Sequence, residues 1–141
     1  MKGIPVVLLA SVVATALACS KSSTSPSASI AGTYVLATVN GESLPAIVTN
    51  AGDTAVVVTD TLALTASLTY TRHVVDTLRS QGSASVPYSH VSSGTYAQSG
   101  TSITFTDGVT DSSATGTIVA GVITISTVEN GFDVTGVFNK Q

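Results

Sequence analysis

The second half of the chain contains four dipeptides that can each close a two-residue β-hairpin turn, and they recur at short intervals. These dipeptides are Ser99-Gly100, Asp107-Gly108, Ala120-Gly121 and Asn130-Gly131. Because the position of a turn fixes the register of the two strands beside it, the dipeptides predict which residues pair. The predicted pairs are Tyr96 with Ile103, Phe105 with Thr110, Ile118 with Ile123, Ile125 with Gly136, and Ile123 with Phe138.

The four registers agree on one apolar face and one polar face. The predicted inward set is Tyr96, Ile103, Phe105, Ile118, Ile123, Ile125, Val134 and Phe138. The predicted outward set is Thr95, Thr104, Thr117, Thr124, Ser126, Asp133 and Thr135. This alternation is typical of antiparallel strands with one solvated face. We therefore predict an antiparallel meander over this half of the chain.

The first half of the chain also contains short predicted strands separated by turns and loops. Residues 32–39 predict a first strand that ends at the turn Asn40-Gly41, and residues 44–48 and 54–59 each predict a further short strand. Residues 80–85 are rich in Ser and Gly and predict a loop.

Apolar and hydroxyl side chains alternate from residue 61 to residue 71. The predicted inner face consists of Leu62, Leu64, Ala66, Leu68 and Tyr70. A single strand running on to Leu78 would have 18 residues, which is longer than strands usually are, so we expect a turn or a bulge near Ala66-Ser67. Arg72 and Asp76 continue on the Tyr70 side, and we expect them at the rim of the sheet, since charges are seldom buried.

The composition supports an all-β fold. Only 9% of the residues are charged and 5% are aromatic, and there is no Trp. Branched side chains suit a pleated surface and Gly suits tight turns. An open sheet of many short strands exposes its edges, and closure into a barrel removes them. We predict an antiparallel up-and-down meander that closes into a small β-barrel of about eight to ten strands.

The first residues have the features of an export signal. Lys2 precedes an apolar run over residues 4–13, and Ala16-Leu17-Ala18 provides small residues for cleavage. The 16 residues from Ile4 to Cys19 are too few for a transmembrane helix, which needs about 20. An ordinary secretory signal would be cleaved at the same bond and stays an alternative.

The segment Ala16-Leu17-Ala18-Cys19 resembles the lipobox of bacterial lipoproteins. The resemblance implies that Cys19, the only cysteine, carries diacylglycerol and becomes the new N-terminus. We expect a signal peptide over residues 1–18, the lipidated Cys19 with a Ser-rich tether over 19–29, and a folded domain over 30–141. Ser20 is not the Asp that commonly retains lipoproteins in an inner membrane, so we expect an anchor in the periplasmic face of the outer membrane.

A second resemblance concerns the folded domain. The opening Gly32-Thr33-Tyr34, the meander, and the ending Val137-Phe138-Asn139-Lys140 are similar to the lipocalin-like domains of bacterial envelope lipoproteins. True lipocalins carry Gly-x-Trp on the first strand and a basic residue near the last strand that stacks over this Trp. Here Tyr34 replaces the Trp, and Lys140 is the candidate for the basic residue. The resemblance implies a lipocalin-like barrel with an interior able to hold a small apolar molecule.

Catalytic chemistry is not predicted. Neither His73 nor His90 has a recognisable metal-ligand spacing, and no nucleophile stands beside a base. We therefore expect no enzyme activity, no metal and no cofactor. The formal net charge of −3, without a basic cluster, argues against nucleic acid as a partner.

Two functions from different classes are carried forward. The first is a small-molecule binding module whose candidate site is Leu62, Leu64, Tyr70, Arg72, Ile103 and Phe105. The second is a structural or protein-interaction role in the envelope, with a barrel that its own side chains fill. In either case we expect a monomer whose only membrane contact is the N-terminal lipid.

Overall fold

The computed structural model describes residues 29–129 and 131–141. Within these residues the chain forms ten strands and no helix. The strands are β1 Gly32–Val39, β2 Glu42–Ser43, β3 Ala46–Asn50, β4 Asp53–Leu64, β5 Thr69–Arg79, β6 Val86–Ser99, β7 Ser102–Asp107, β8 Ser113–Val119, β9 Val122–Glu129 and β10 Phe132–Lys140. The predicted signal peptide, the lipidation of Cys19 and most of the tether lie outside the described residues.

Eight of the strands form a closed antiparallel barrel, as predicted. Neighbouring strands pair in sequence order from β4 to β10, and β1 closes the ring by pairing with β10 on one side and β4 on the other. The short strands β2 and β3 are additional. β2 extends from the end of β1, and β3 pairs with the first part of β4. Closure leaves the barrel with an interior and an exterior face, which accounts for the alternation in the sequence.

Two of the four predicted turns have the predicted register. The turn at Ala120-Gly121 pairs Ile118 with Ile123, and the turn after β9 pairs Ile125 with Gly136. Both registers place the predicted apolar residues in the buried core. The sheet from β8 to β10 could therefore be predicted from turn chemistry and alternation together.

The first hairpin of this half turns one residue later than predicted. Ser99 pairs with Ser102, so the two turn residues are Gly100 and Thr101, and Tyr96 lies opposite Phe105 instead of Ile103. Gly100 has a φ of +59°, and a glycine at the first central position is what a type II′ turn requires. The register changes by two residues, and the inward set is unchanged because side chains alternate with a period of two.

The Asp107-Gly108 turn was also predicted wrongly. The Asp107 carboxylate accepts hydrogen bonds from the backbone N–H groups of Val109 and Thr110, at 2.9 and 2.8 Å. These bonds hold a loop over residues 108–112 instead of a tight turn, as Asp side chains often do. Phe105 consequently pairs with Ala114, not with Thr110. β7 ends at Asp107 before this loop, and β8 begins at Ser113 after it. The barrel wall is therefore short at this position.

The first half of the barrel differs from the prediction at two points. Residues 65–68 form a turn near Ala66-Ser67, where a turn or a bulge was expected. Ala66 and Leu68 lie in this turn and are exposed, so neither belongs to the inner face, and Leu68 has a φ of +62°. The strand predicted at 54–59 and the alternation that follows it are one strand, β4, which carries a bulge at Val58. A bulge inserts one residue and so reverses which face later side chains occupy.

The two ends of the barrel are built differently. The closed end holds Ser29 and the turn at 65–68, and Tyr34 is fully buried near it. The Tyr34 hydroxyl donates to the Ile30 carbonyl at 2.7 Å, and Lys140 Nζ lies 5.8 Å from the Tyr34 ring centroid. The open end holds the turn at 51–52 and the loops 80–85 and 108–112. Core side chains fill the interior towards the closed end, where two open surface hollows of about 380 and 590 Å³ border Ser29 and Ile30. The cavity and the groove described next lie towards the open end.

Candidate functional site

Three strands bring charged side chains together inside the barrel. Arg72 of β5 donates from Nε and Nη2 to one Asp60 carboxylate oxygen on β4, at 2.9 and 2.6 Å. Its Nη1 donates to Glu129 of β9 at 2.5 Å. The side chains of Asp60, Arg72 and Glu129 are 1%, 22% and 31% exposed. A guanidinium thus joins a fully buried carboxylate to one that still reaches solvent.

Asp76 extends this cluster along the inner face of β5. It lies four residues after Arg72 and is 8% exposed. One oxygen of Asp76 and one of Asp60 are buried without a hydrogen-bond partner among the described residues. A buried polar group without a partner is unusual in a folded protein and costs stability. We call Asp60, Arg72, Asp76 and Glu129 the interior charge cluster.

Burial changes the protonation behaviour of the interior charge cluster. Desolvation raises the pKa of Asp60, although the hydrogen bond from Arg72 opposes the change. Desolvation also raises the pKa of Asp76, and the negative charge of Glu129 adds to it. For Arg72, burial would lower the pKa, but the bond to Asp60 and the charges of Asp60 and Glu129 outweigh it and raise the pKa. Arg72 therefore stays charged, whereas burial disfavours the charged forms of both aspartates.

A small cavity of about 30 Å³ lies in the barrel against the interior charge cluster. Its remaining walls are mostly apolar and come from the six strands β1, β3, β4, β5, β9 and β10. They include Leu36, Val39, Val57, Ile125, Phe132 and Phe138. A cavity needs roughly 10–15 Å³ to hold one water, so this one has room for about two waters or for the head group of a ligand.

A larger groove of about 580 Å³ opens through the barrel wall next to this cavity. β6 has 14 residues but pairs with β7 only from Gly94 onward, since β7 has six. The first half of β6 therefore extends beyond β7 and β8 and does not pair with β7. Arg72, Asp76 and Glu129 line both the cavity and the groove. The interior charge cluster thus lies where the two spaces meet.

Aromatic rings line the groove. Tyr70 and Phe105 meet edge to face with ring centroids 5.3 Å apart, and Tyr88 stacks on His90 with centroids 6.1 Å apart. All four rings face the groove. Asp107 lies at the far side of the groove, where its carboxylate holds the loop 108–112.

The structure separates the predicted ligand residues into two groups. Leu62, Leu64 and Ile103 pack in the core and line neither the cavity nor the groove. Tyr70 and Phe105 line the groove. Arg72 lines both spaces and lies in the middle of β5, not at the rim where it was expected together with Asp76.

Sequence reasoning missed two members of the interior charge cluster. Asp60 lies two residues before Leu62 and so shares its inward face, but the predicted alternation began at Thr61. Glu129 stands directly before the predicted turn Asn130-Gly131, but it continues the inward series of Ile125 and Thr127. Extending each alternation by one step would have found both carboxylates.

Among the described residues, no group of three or more His, Cys, Asp or Glu side chains is arranged to hold a metal ion. None of the described segments forms a helix long and apolar enough to cross a membrane. His73 is exposed on the outer face of β5, and its ring contacts the Ser89 hydroxyl at 3.1 Å.

No family model, curated protein or solved structure shows significant similarity to the chain.

Proposed function

We propose that this chain is a lipid-anchored envelope protein whose lipocalin-like barrel binds a small molecule with an apolar body. The observation that supports binding is the pair of neighbouring spaces towards the open end, which share lining residues. The groove has the size of a typical ligand pocket, roughly 300–1,000 Å³, and the cavity behind it ends at charged side chains. Ligand sites commonly combine apolar walls with a few polar groups that fix orientation.

The proposed anchor and the proposed site lie at different ends of the domain. The described chain begins at Ser29, at the closed end, and the tether would lead from there to Cys19. The groove lies towards the open end, near the loop 108–112. On this proposal a ligand reaches the groove from the aqueous side, and the anchor keeps the protein at the periplasmic face of the outer membrane.

The alternative role, a structural or protein-interaction lipoprotein, is favoured by one observation. Tyr34, Leu62, Ile103 and Ile123 are almost fully buried and fill the interior near the closed end. A barrel filled throughout in this way would have no ligand, and its outer surface would carry the function. The groove and the cavity are what favour the binding role over this alternative.

Native mass spectrometry of the full-length protein, purified from its own cells, tests the binding role. The binding role predicts a co-purifying molecule that is lost when Phe105→Trp narrows the groove. Ser126→Thr, a change on the outer face of β9, is the matched control and should retain the molecule. A single mass equal to that of the lipidated chain, with no added molecule, would favour the structural role.

The anchor is tested separately by replacing the lipidated residue. We expect Cys19→Ala to release a folded domain from membranes, because the lipid alone would hold the protein there. Fractionation after a high-salt wash measures the release, and separation of inner and outer membranes tests the location. Retention of Cys19→Ala in the membrane fraction would contradict the lipid anchor without affecting the binding role.

A further inference from the structure

The cavity and the groove are strongly acidic. Four of the eight carboxylates in the sequence line them, namely Asp60, Asp76, Asp107 and Glu129. Among the described residues, Arg72 is the one Lys or Arg side chain that faces either space. With all carboxylates ionised, the formal charge around the two spaces is −4 plus 1, or −3. This is as large as the formal charge of the entire chain.

Arg72 does not satisfy the carboxylates around it. Its donors reach one oxygen of Asp60 and one of Glu129. The second oxygen of Asp60 and one oxygen of Asp76 are buried at the cavity without a partner among the described residues. Buried charges are normally paired or hydrogen-bonded. These two carboxylate oxygens at the cavity therefore lack the hydrogen-bond donors that buried charges usually have.

We propose that the ligand is an organic cation, whose ammonium group enters the cavity and donates hydrogen bonds to Asp76 and Asp60 while its apolar body lies in the groove. This inference rests on the proposed binding role and specifies the ligand class. The cavity, at about 30 Å³, matches the size of an ammonium head, since a single water needs roughly 10–15 Å³. A positive charge there reduces the formal charge of the two spaces towards neutrality.

The groove walls suit the same ligand class. A cation within about 6 Å of an aromatic ring is attracted to the ring face, and Tyr70, Tyr88 and Phe105 line the path to Asp76. A carboxylate or phosphate would meet Asp76 and Glu129 where the two spaces meet, with Arg72 as the one opposing charge there among the described residues, and is disfavoured. A metal ion is also disfavoured, because the described residues do not supply three converging ligands.

Isothermal titration calorimetry of the full-length protein with two matched probe series tests this inference. The first series is 2-phenylethylamine, 2-phenylethanol and 3-phenylpropanoate, and the second is hexylamine, hexanol and hexanoate. Within each series the body is similar and the head group changes from cation to neutral to anion. We expect the amine to bind at least about tenfold more tightly than the alcohol, since a hydrogen bond to a charged group is worth more than a neutral one. The carboxylate should not bind measurably.

Two variants separate the role of the carboxylate from general effects on the fold. Asp76→Asn should weaken amine binding about tenfold or more and leave alcohol binding nearly unchanged. Asp133→Asn, a matched change at an exposed position of β10, should alter neither. Circular dichroism checks that each variant is folded.

The outcomes distinguish the two levels of the proposal. If an alcohol or a carboxylate binds as tightly as its amine, the binding role stands and the cation inference is overturned. Equal amine affinity in Asp76→Asn and in the unchanged protein also overturns the inference. If no probe of either series binds, the binding role itself is refuted, and the unpartnered oxygens are satisfied by water or a proton.

Discussion

Replacing Asp76 by Asn should make the domain more stable at neutral pH. Asp76 is 8% exposed and has one oxygen without a partner among the described residues. The carboxylate of Glu129 adds repulsion. Leaving a buried polar group unsatisfied costs about 1–3 kcal/mol, and Asn removes the charge while offering an amide donor to neighbouring carboxylates. We therefore expect Asp76→Asn to raise the free energy of unfolding by about 1–2 kcal/mol.

The gain should depend on pH in a defined direction. The pKa of Asp76 is raised above its ordinary value of 3.8 by desolvation and by Glu129. The folded state therefore binds this proton more tightly than the unfolded chain does, and stability falls as pH rises through the raised pKa. Below pH 3.8 Asp76 is protonated in both the folded and the unfolded state, and its destabilising effect disappears. The advantage of Asp76→Asn should be full at neutral pH and should vanish on acidification.

Arg72 opposes this shift, because its positive charge lowers the pKa of Asp76. Arg72 and Asp60 flank Asp76 within the interior charge cluster, and His90 and Asp107 face it across the groove. Urea melts of the unchanged protein and of Asp76→Asn at a series of pH values measure the difference, and Asp133→Asn is the surface control. A loss of stability in Asp76→Asn at neutral pH, or a gain that persists at low pH, would refute an uncompensated carboxylate at this position.

Three further changes test the geometry. Arg72→Met should cost about 3–5 kcal/mol in urea melts, because it leaves Asp60 buried without its guanidinium, and adding Asp60→Asn should recover part of the loss. Ile125→Asp should cost several kcal/mol, whereas Thr124→Asp should cost less than about 1 kcal/mol, since only the first places a charge in the core; equal losses would mean that both faces are buried. Gly116→Ala should cost about 1–3 kcal/mol because its Cβ would lie 2.3 Å from the Thr124 carbonyl oxygen, and an unchanged melt would contradict the close contact of β8 with β9.

The barrel could be predicted from sequence wherever turn chemistry and alternation act together. Ala120-Gly121 occupies two positive-φ positions, with φ of +49° and +80°, so the dipeptide and the turn coincide. Asp107 instead uses its side chain to hold a longer loop, which no count of dipeptides reveals. The prediction of which side chains face inward is unaffected by this error, because the register changed by an even number of residues.

The groove could not be predicted, because it depends on strand lengths that local pattern does not fix. It exists because β6 is more than twice as long as β7, and the loop after Asp107 decides where β7 stops. The bulge at Val58 is a second feature that local pattern does not fix. It shifts the alternation of β4 by one residue, so that Val57 and Asp60 both face inward although they are three residues apart. Both features are irregularities within an otherwise regular sheet.

Folding alone does not account for the interior charge cluster. Asp60, Arg72 and Glu129 come from β4, β5 and β9, and the Arg72–Glu129 pair is separated by 57 residues in the sequence. Apolar residues at these positions would continue the inward alternation, and replacing a buried ion pair by well-packed hydrophobic side chains is often neutral or stabilising. The cluster also leaves two carboxylate oxygens without partners among the described residues. Side chains that break the local pattern and cost stability are expected at functional sites, and a bound organic cation would supply both a counter-charge and the missing donors.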